Sequence, residues 1–249
     1  MADRDSFLQM VRTALGIAAG HAVEPDDATG IFKDAATVES DASNARAGAR
    51  ADSSGLLDAL AESAAEIGWQ VRRCASTEDA AEAVREICRD AGVKTALRSR
   101  HSVFDRVPVD TTLSAGGVDL AIAAREDGLD ADADAAARAN LRADAFRVDL
   151  GITGIDYAIA ETGTVVINPR RGVPRMVSLA PPRHIAIVER GDVLPSLDEF
   201  FILARADFLN GSHRGMMNLI SGPSRTADIE GKIVTGIHGP LEAYLVIVG

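Results

Sequence analysis

Leu56, Leu57, Leu60, Ala64 and Ile67 fall on one face of a helix, and Gly68 ends that run. Trp69–Cys74 then reads as a strand. Thr77-Glu78-Asp79-Ala80 opens a second helix, because acidic residues complement a helix N-terminus. Ala80, Val84, Ile87 and Cys88 form its apolar face, and Gly92 stops it. Strands are expected at Val93–Leu97 and Val118–Ala123, and an alanine-rich helix with Leu141 and Phe146 over 131–146. Upstream, Phe7, Leu8, Met10, Val11 and Leu15 make residues 6–15 amphipathic, before Gly16 and Gly20. From His21 to Asp52 the chain is rich in Ala, Asp and Gly and poor in large apolar residues, so an irregular connector is expected there.

The second half changes character. Asp156–Ala160, Thr164–Ile167 and His184–Val188 are short apolar runs that read as buried strands. Residues 196–208 predict a helix with Leu197, Phe200, Phe201 and Leu203 facing inward. Met216–Ile220 and Ala243–Val248 are late strands. Strands alternate with helices and then cluster. This predicts an α/β fold with a mainly parallel central sheet, flanking helices and some hairpin character late in the chain. The division expected is an N-terminal helix and variable linker over 1–52, followed by an α/β domain over 53–249.

At 249 residues and 47% hydrophobic composition, the chain is large enough for a self-sufficient core. A net charge of −11 argues against nucleic-acid binding and against anionic membranes, while leaving room for a local basic pocket. Cys74 and Cys88 are the only cysteines, so this chain alone does not carry an iron–sulfur cluster, and they read as reduced thiols. No apolar run approaches the ~20 residues of a membrane span, and the first residues lack a signal pattern. A cytoplasmic location is therefore expected.

Ligands of open α/β sheets bind beyond the carboxyl ends of strands. Four polar stretches flank predicted strands: Arg98–Ser102, Glu161-Thr162-Gly163-Thr164, Ser221–Glu230 and His238-Gly239-Pro240. The third gathers Ser221, Gly222, Pro223, Ser224, Arg225, Thr226 and Asp228, more polar chemistry than a turn needs. Pro223 suggests a helix start, whose free N–H groups bind anions. Arg225 would oppose the helix dipole there unless an anion or a carboxylate stands nearby. A turn with Arg225 paired to Asp228 or Glu161 accounts for the same residues. Glu161, after an apolar strand, suits acid–base or nucleophilic work, or ties down a loop. His238 is a candidate acid or base, and equally a turn residue. No tight histidine spacing supports a metal site, and phosphate-loop and hydrolase-elbow motifs are missing. Arg170, Arg171 and Arg175 lie in a Pro- and Gly-containing loop. They form a solvated face or steer an anion.

Gly151-Ile152-Thr153 with Asp156–Thr164, Leu179–Ile185, Ser221–Glu230 and Gly236–Pro240, in that order, resemble the lactate-utilization protein C family, the LUD domain. The resemblance is closest over 147–248. It implies a fold similar to that of coenzyme A transferases, ribose-phosphate isomerase and formyltetrahydrofolate cyclo-ligase. It also implies a part in bacterial oxidation of L-lactate to pyruvate beside iron–sulfur proteins, which would carry the redox chemistry. The family has no firmly assigned catalytic residues to transfer. The expected site is therefore Glu161 and His238 as catalytic candidates, with Thr162, Gly163, Thr164, Ser221, Gly222, Ser224, Arg225, Thr226 and Asp228 binding a small anionic substrate. A stand-alone transferase or ligase, or a non-catalytic assembly subunit, are the alternatives, and the cofactor is left open.

Overall fold

The computed structural model describes residues 34–124, 130–211, 215–227 and 233–249, together with Met10, Thr13 and Gly128. The predicted helix over 6–15 otherwise lies outside the described residues, as does Asp228.

Helix α1 runs Ala35–Ala51, where the sequence pattern suggested an irregular connector. Asp34 caps it by accepting the Thr37 N–H at 3.0 Å. Val38, Ala42 and Ala49 are buried along one side. The stripe is built of small residues, which is why it carried little hydrophobic signal. Helix α2 (Ser53–Glu66) buries Leu56, Leu57, Leu60 and Ala64, as the spacing predicted. Strand β1 (Gln70–Cys74) leads into α3 (Thr77–Asp90), which Ser76 caps by accepting the Asp79 N–H at 3.0 Å. Strand β2 (Thr95–Arg98), α4 (Val109–Ala115), β3 (Asp119–Ile122) and α5 (Ala131–Arg147) follow.

The next strand, β4 (Leu150–Gly154), is fully buried. The chain then makes β5 (Tyr157–Ile159), β6 (Thr164–Ile167), the single turn α6 (Met176–Leu179), β7 (Arg183–Glu189) and β8 (Val193–Leu194). Helix α7 (Leu197–Leu209) precedes β9 (Asn218–Ile220), β10 (Arg225–Ala227), β11 (Ile233–Thr235) and β12 (Glu242–Val248).

Six strands form one sheet in the order β1-β12-β7-β4-β2-β3, and every neighbouring pair is parallel. Parallel strands must be covered on both faces, which explains the unbroken apolar runs of β7 and β12. Helices α3 and α4 cover one face, packing Val84, Ile87 and Leu113 against Ile152, Ile185 and Val246. On the other face α2 and a second, four-stranded sheet pack against Ala186, Val188, Leu245 and Ile247. That second sheet, β8-β5-β6-β9, takes up strands that the linear pattern could not separate from the central one. Helix α7 lies against it through Phe200 and Leu203. Phe201, expected inward, is 53% exposed, because consecutive helical residues diverge by about 100°. Asp149 ties β2 to β4 by accepting the Lys94 and Thr95 N–H groups, both at 2.9 Å.

Candidate functional site

Strands β2 and β4 are neighbours, yet the chain leaves them in opposite directions. After β2 it turns to α4, on one face of the sheet. After β4 it enters β5, on the other. The chain thus diverges at the carboxyl edge between them, the place where open parallel sheets bind ligands. Its side chains come from three segments: 98–106, 154–156 and 168–173.

Arg98 is committed to structure. Its guanidinium holds Asp110 through two bonds of 2.6 Å and lies 4.8 Å from the Phe104 ring centre. The His101 ring packs directly over Gly154, where any Cβ would collide with it. His101 Nδ1 accepts the Val103 N–H at 3.2 Å, which leaves Nε2 to face Asp156 Oδ1 at 3.7 Å. Asp156 also accepts the Asn168 N–H at 2.7 Å and Arg170 Nη1 at 2.9 Å. Burial opposes its ionisation, but His101, Asn168 and Arg170 together outweigh that cost and hold the carboxyl below the usual range. Asp192 moves the other way, pushed up to about 6 by burial and by Glu189, with His101 and Arg106 partly offsetting both. Glu189 is itself paired with Arg106.

The segment expected to bind an anion is built differently from the prediction. Arg225 and Thr226 do not start a helix. They begin β10, which pairs with β11 in an antiparallel hairpin. The anion-binding amides of a helix N-terminus are therefore not what this turn presents. Arg225 is exposed, lies against Gly68, and pairs with no carboxylate among the described residues. Gly222 meets the Ile67 carbonyl so closely that a Cβ would stand 2.6 Å from its oxygen. Ser224 accepts the His238 backbone N–H at 3.1 Å, and its own N–H donates to the Pro240 carbonyl at 3.0 Å. The segments around Ser224 and His238 thus meet, though through the His238 backbone.

Thr162, Thr164 and Ser221 form a chain of hydroxyls, with links of 2.8 Å and 2.8 Å. Beside them the Trp69 indole N–H donates to the Gly163 carbonyl at 3.0 Å, and the Ser63 hydroxyl to the Ala160 carbonyl at 2.6 Å. Glu161 turns toward α7, accepting the Leu197 N–H at 3.4 Å at the start of that helix. Among the described residues no hydrogen bond or ion pair joins Glu161 to Arg225 or His238. The structure gathers Thr162, Gly163, Thr164 and Ser221 around the Ile67-Gly68-Trp69 turn, with Arg225 on its outer side.

Other reactive side chains serve the core. Both cysteines are buried, and burial pushes the Cys88 thiol up to about 12. His184 is fully buried, shares a 2.8 Å hydrogen bond with Thr153 and faces the Trp69 ring at 6.0 Å. Burial pushes it down to about 3, so it stays neutral. Among the described residues no three His, Cys, Asp or Glu side chains group to hold a metal ion. At the opposite, amino edge of the sheet, a cleft of about 450 Å³ contains Arg183, Glu242 and Tyr244. These satisfy one another through bonds of 2.9 Å and 2.8 Å.

Sequence reasoning marked the stretch after β2 and the arginine loop that holds Arg170, but it gave Asp156 no site role and did not mark Asp192. Asp156 had a readable signal, a lone acid at the end of an apolar run. Asp192 had none, and only the return of distant loops brings it and Arg170 to that edge.

The parallel six-stranded sheet with helices on one face and a smaller sheet on the other defines an α/β protein of the LUD class. The LUD domain model matches residues 57–248, and the chain belongs to that family. Proteins named lactate utilization protein C are similar over a shorter stretch. The one from Halalkalibacterium halodurans is 39% identical over 105 residues, covering 42% of this chain and 46% of that protein. The Bacillus subtilis protein is 37% identical over 105 residues, covering 42% and 44%. The matched stretch spans less than half the length of these curated relatives. A crystal structure of a DUF162 family protein from Deinococcus radiodurans shares the fold, with a TM-score of 0.52 at 18% identity over 80% of this chain and 99% of that one.

Proposed function

We propose that this chain takes part in L-lactate utilization as one component of a cytoplasmic assembly that oxidises L-lactate to pyruvate. The observation that carries this reading is its membership of the LUD family, joined to 37–39% identity with proteins named for lactate utilization in two bacteria. Oxidising L-lactate to pyruvate releases two electrons. The two cysteines of this chain are buried core thiols, so the reading assigns electron transfer to iron–sulfur partner proteins.

A docking face for such a partner is supported by the segment that carries β9 and the β10–β11 hairpin. Met216, Leu219, Val234, Ile237 and Leu241 are all exposed there, beside the exposed Arg225 and His238. Apolar side chains gathered with an arginine are the composition of a protein interface rather than of an idle surface. In this reading Arg225 contributes to binding, either of a partner's acid or of a small anion. Glu161, bonded at the start of α7, shapes the adjoining turn.

The test is purification of the full chain from cells grown on L-lactate, with assays for iron and acid-labile sulfide. Iron–sulfur proteins should co-purify, and deleting the gene should abolish growth on L-lactate. A chain that purifies alone and is dispensable for that growth would overturn the proposal.

A further inference from the structure

Helix α7 buries one side and leaves a second apolar side uncovered. Phe200, Leu203 and Ala206 are buried in the core that it shares with the smaller sheet. Phe201 and Phe208 are 53% and 60% exposed, and Leu209 is 46% exposed next to them. Phe201, Arg205 and Phe208 stand at i, i+4 and i+7, so the two rings fall on one stripe along the helix. Apolar side chains scattered singly on a surface need no explanation, but an aligned aromatic pair does.

Helix α1 shows where the chain arrives. Arg46 approaches Asp207 at 3.7 Å near the end of α7, while Ala49 lines a cleft with Pro195 and Glu199 at its start. The two helices therefore run antiparallel, and the chain enters α1 toward the end of α7 that carries Phe208 and Leu209. The sequence upstream supplies a cover of matching form. Phe7, Val11 and Leu15 recur at i, i+4 and i+8 with Leu8 beside them, while Met10 and Thr13 fall off that stripe. Met10 and Thr13 are exposed, as residues off the apolar side of the segment should be. Residues 16–33 span at most about 60 Å. Helix α7 is only about 20 Å long, so every point of its stripe is within reach. The charges also match. Arg12 is the one charged residue of 6–15, and α7 carries Asp198, Glu199 and Asp207 against Arg205 alone. Asp198 is exposed and flanks the stripe, three residues before Phe201.

We propose that the amphipathic segment 6–15 docks on the Phe201–Phe208 stripe of α7 as a strap within the same chain. Phe7, Val11 and Leu15 cover the two rings, and Arg12 lies beside Asp198. The tether makes this docking intramolecular, so it holds without a large interface. It also removes from the surface an aromatic stripe suited to self-association. The strap uses none of the residues of the β10–β11 face and stands whether or not the chain serves lactate utilization.

The experiment is hydrogen exchange of the full chain, read by mass spectrometry over residues 6–15. These amides should exchange at least tenfold more slowly than in an unstructured chain, and equally so at tenfold lower protein concentration. Phe201→Asp and Phe208→Asp, made separately, should each return the segment to the unstructured rate. Both should leave exchange in β7 and β12 unchanged, because each ring is more than half exposed. Val11→Asp, which leaves α7 untouched, should release the segment in the same way. Ile122→Asp, at a 44% exposed position on β3, should behave as wild type. Four results would each overturn the strap: unstructured rates in the wild type, protection that survives all three substitutions, an equal loss in Ile122→Asp, or protection lost on dilution. The last would make a second copy of the chain the occupant. None of these measurements depends on growth or co-purification, so the two proposals fail separately.

Discussion

At Gly163 an added Cβ would stand 2.6 Å from the Ala64 backbone, and φ is +64°, a conformation that side chains resist. The residue lies where the β5–β6 turn meets α2, with Trp69 bonded to its carbonyl. Gly163→Ala should therefore destabilise the protein by about 1–3 kcal/mol in urea melts, through overpacking and backbone strain. A loss of ligand binding with unchanged stability would instead favour a binding role for this turn. His184 makes a second residue-level prediction. Its folded pKa of about 3 lies below the ordinary 6.5, so the unfolded chain takes up a proton that the folded one refuses. The neutral imidazole thus contributes stability that is fully present above pH 6.5 and falls as pH drops from there toward 3. The loss should approach about 1.4 kcal/mol per pH unit within that window. His184→Asn, compared with wild type in urea melts at two pH values inside the window, should show a shallower slope. An identical slope would mean that His184 charges without penalty. The sequence marked this histidine as a strand residue, but its protonation follows from burial between sheet layers, which no local pattern records.

Helix α1 shows how an element can be hidden in composition. Its buried side is Val38, Ala42 and Ala49, and small side chains give a weak apolar stripe even where packing is tight. The Asp34 cap was a readable start, since Asp-x-x-Thr places an acceptor three residues before a free N–H. Ala42→Asp puts an unpaired carboxylate at a fully buried position and should cost about 3 kcal/mol, seen as a lower urea midpoint. If α1 were a loosely attached connector, the midpoint would not move. The β10–β11 hairpin was misread for a different reason. A Gly-Pro pair before polar residues starts either a helix or a strand, and the choice fell to the partner strand, Ile233–Thr235. By contrast, β7 and β12 of the central sheet were legible, because parallel strands covered on both faces are continuously apolar. Strand β4 escaped notice because Gly151 and Gly154 interrupt its run. Those glycines admit Val177 and His101 to the sheet, a requirement set by neighbours remote in sequence.

At the scale of the molecule, two edges carry unspent chemistry. One is the carboxyl edge of β2 and β4. The other is the exposed apolar face around the β10–β11 hairpin, for which Ile237→Asp should reduce co-purified iron severalfold without lowering Tm, since Ile237 is 58% exposed. Unchanged iron would remove Ile237 from the interface. By itself the sequence determined the α/β class, the order of most strands and helices, and the family motifs from Gly151 to Pro240. These are legible because periodicity, turn residues and short motifs are local properties of a chain. Only the tertiary structure decided which strands join which sheet, and that Glu161 turns toward α7. It alone brought His101, Asp156 and Arg170 together. Such meetings depend on the packing of layers and the crossing of connections between distant strands, and the energies that select them belong to pairs of residues far apart in the chain.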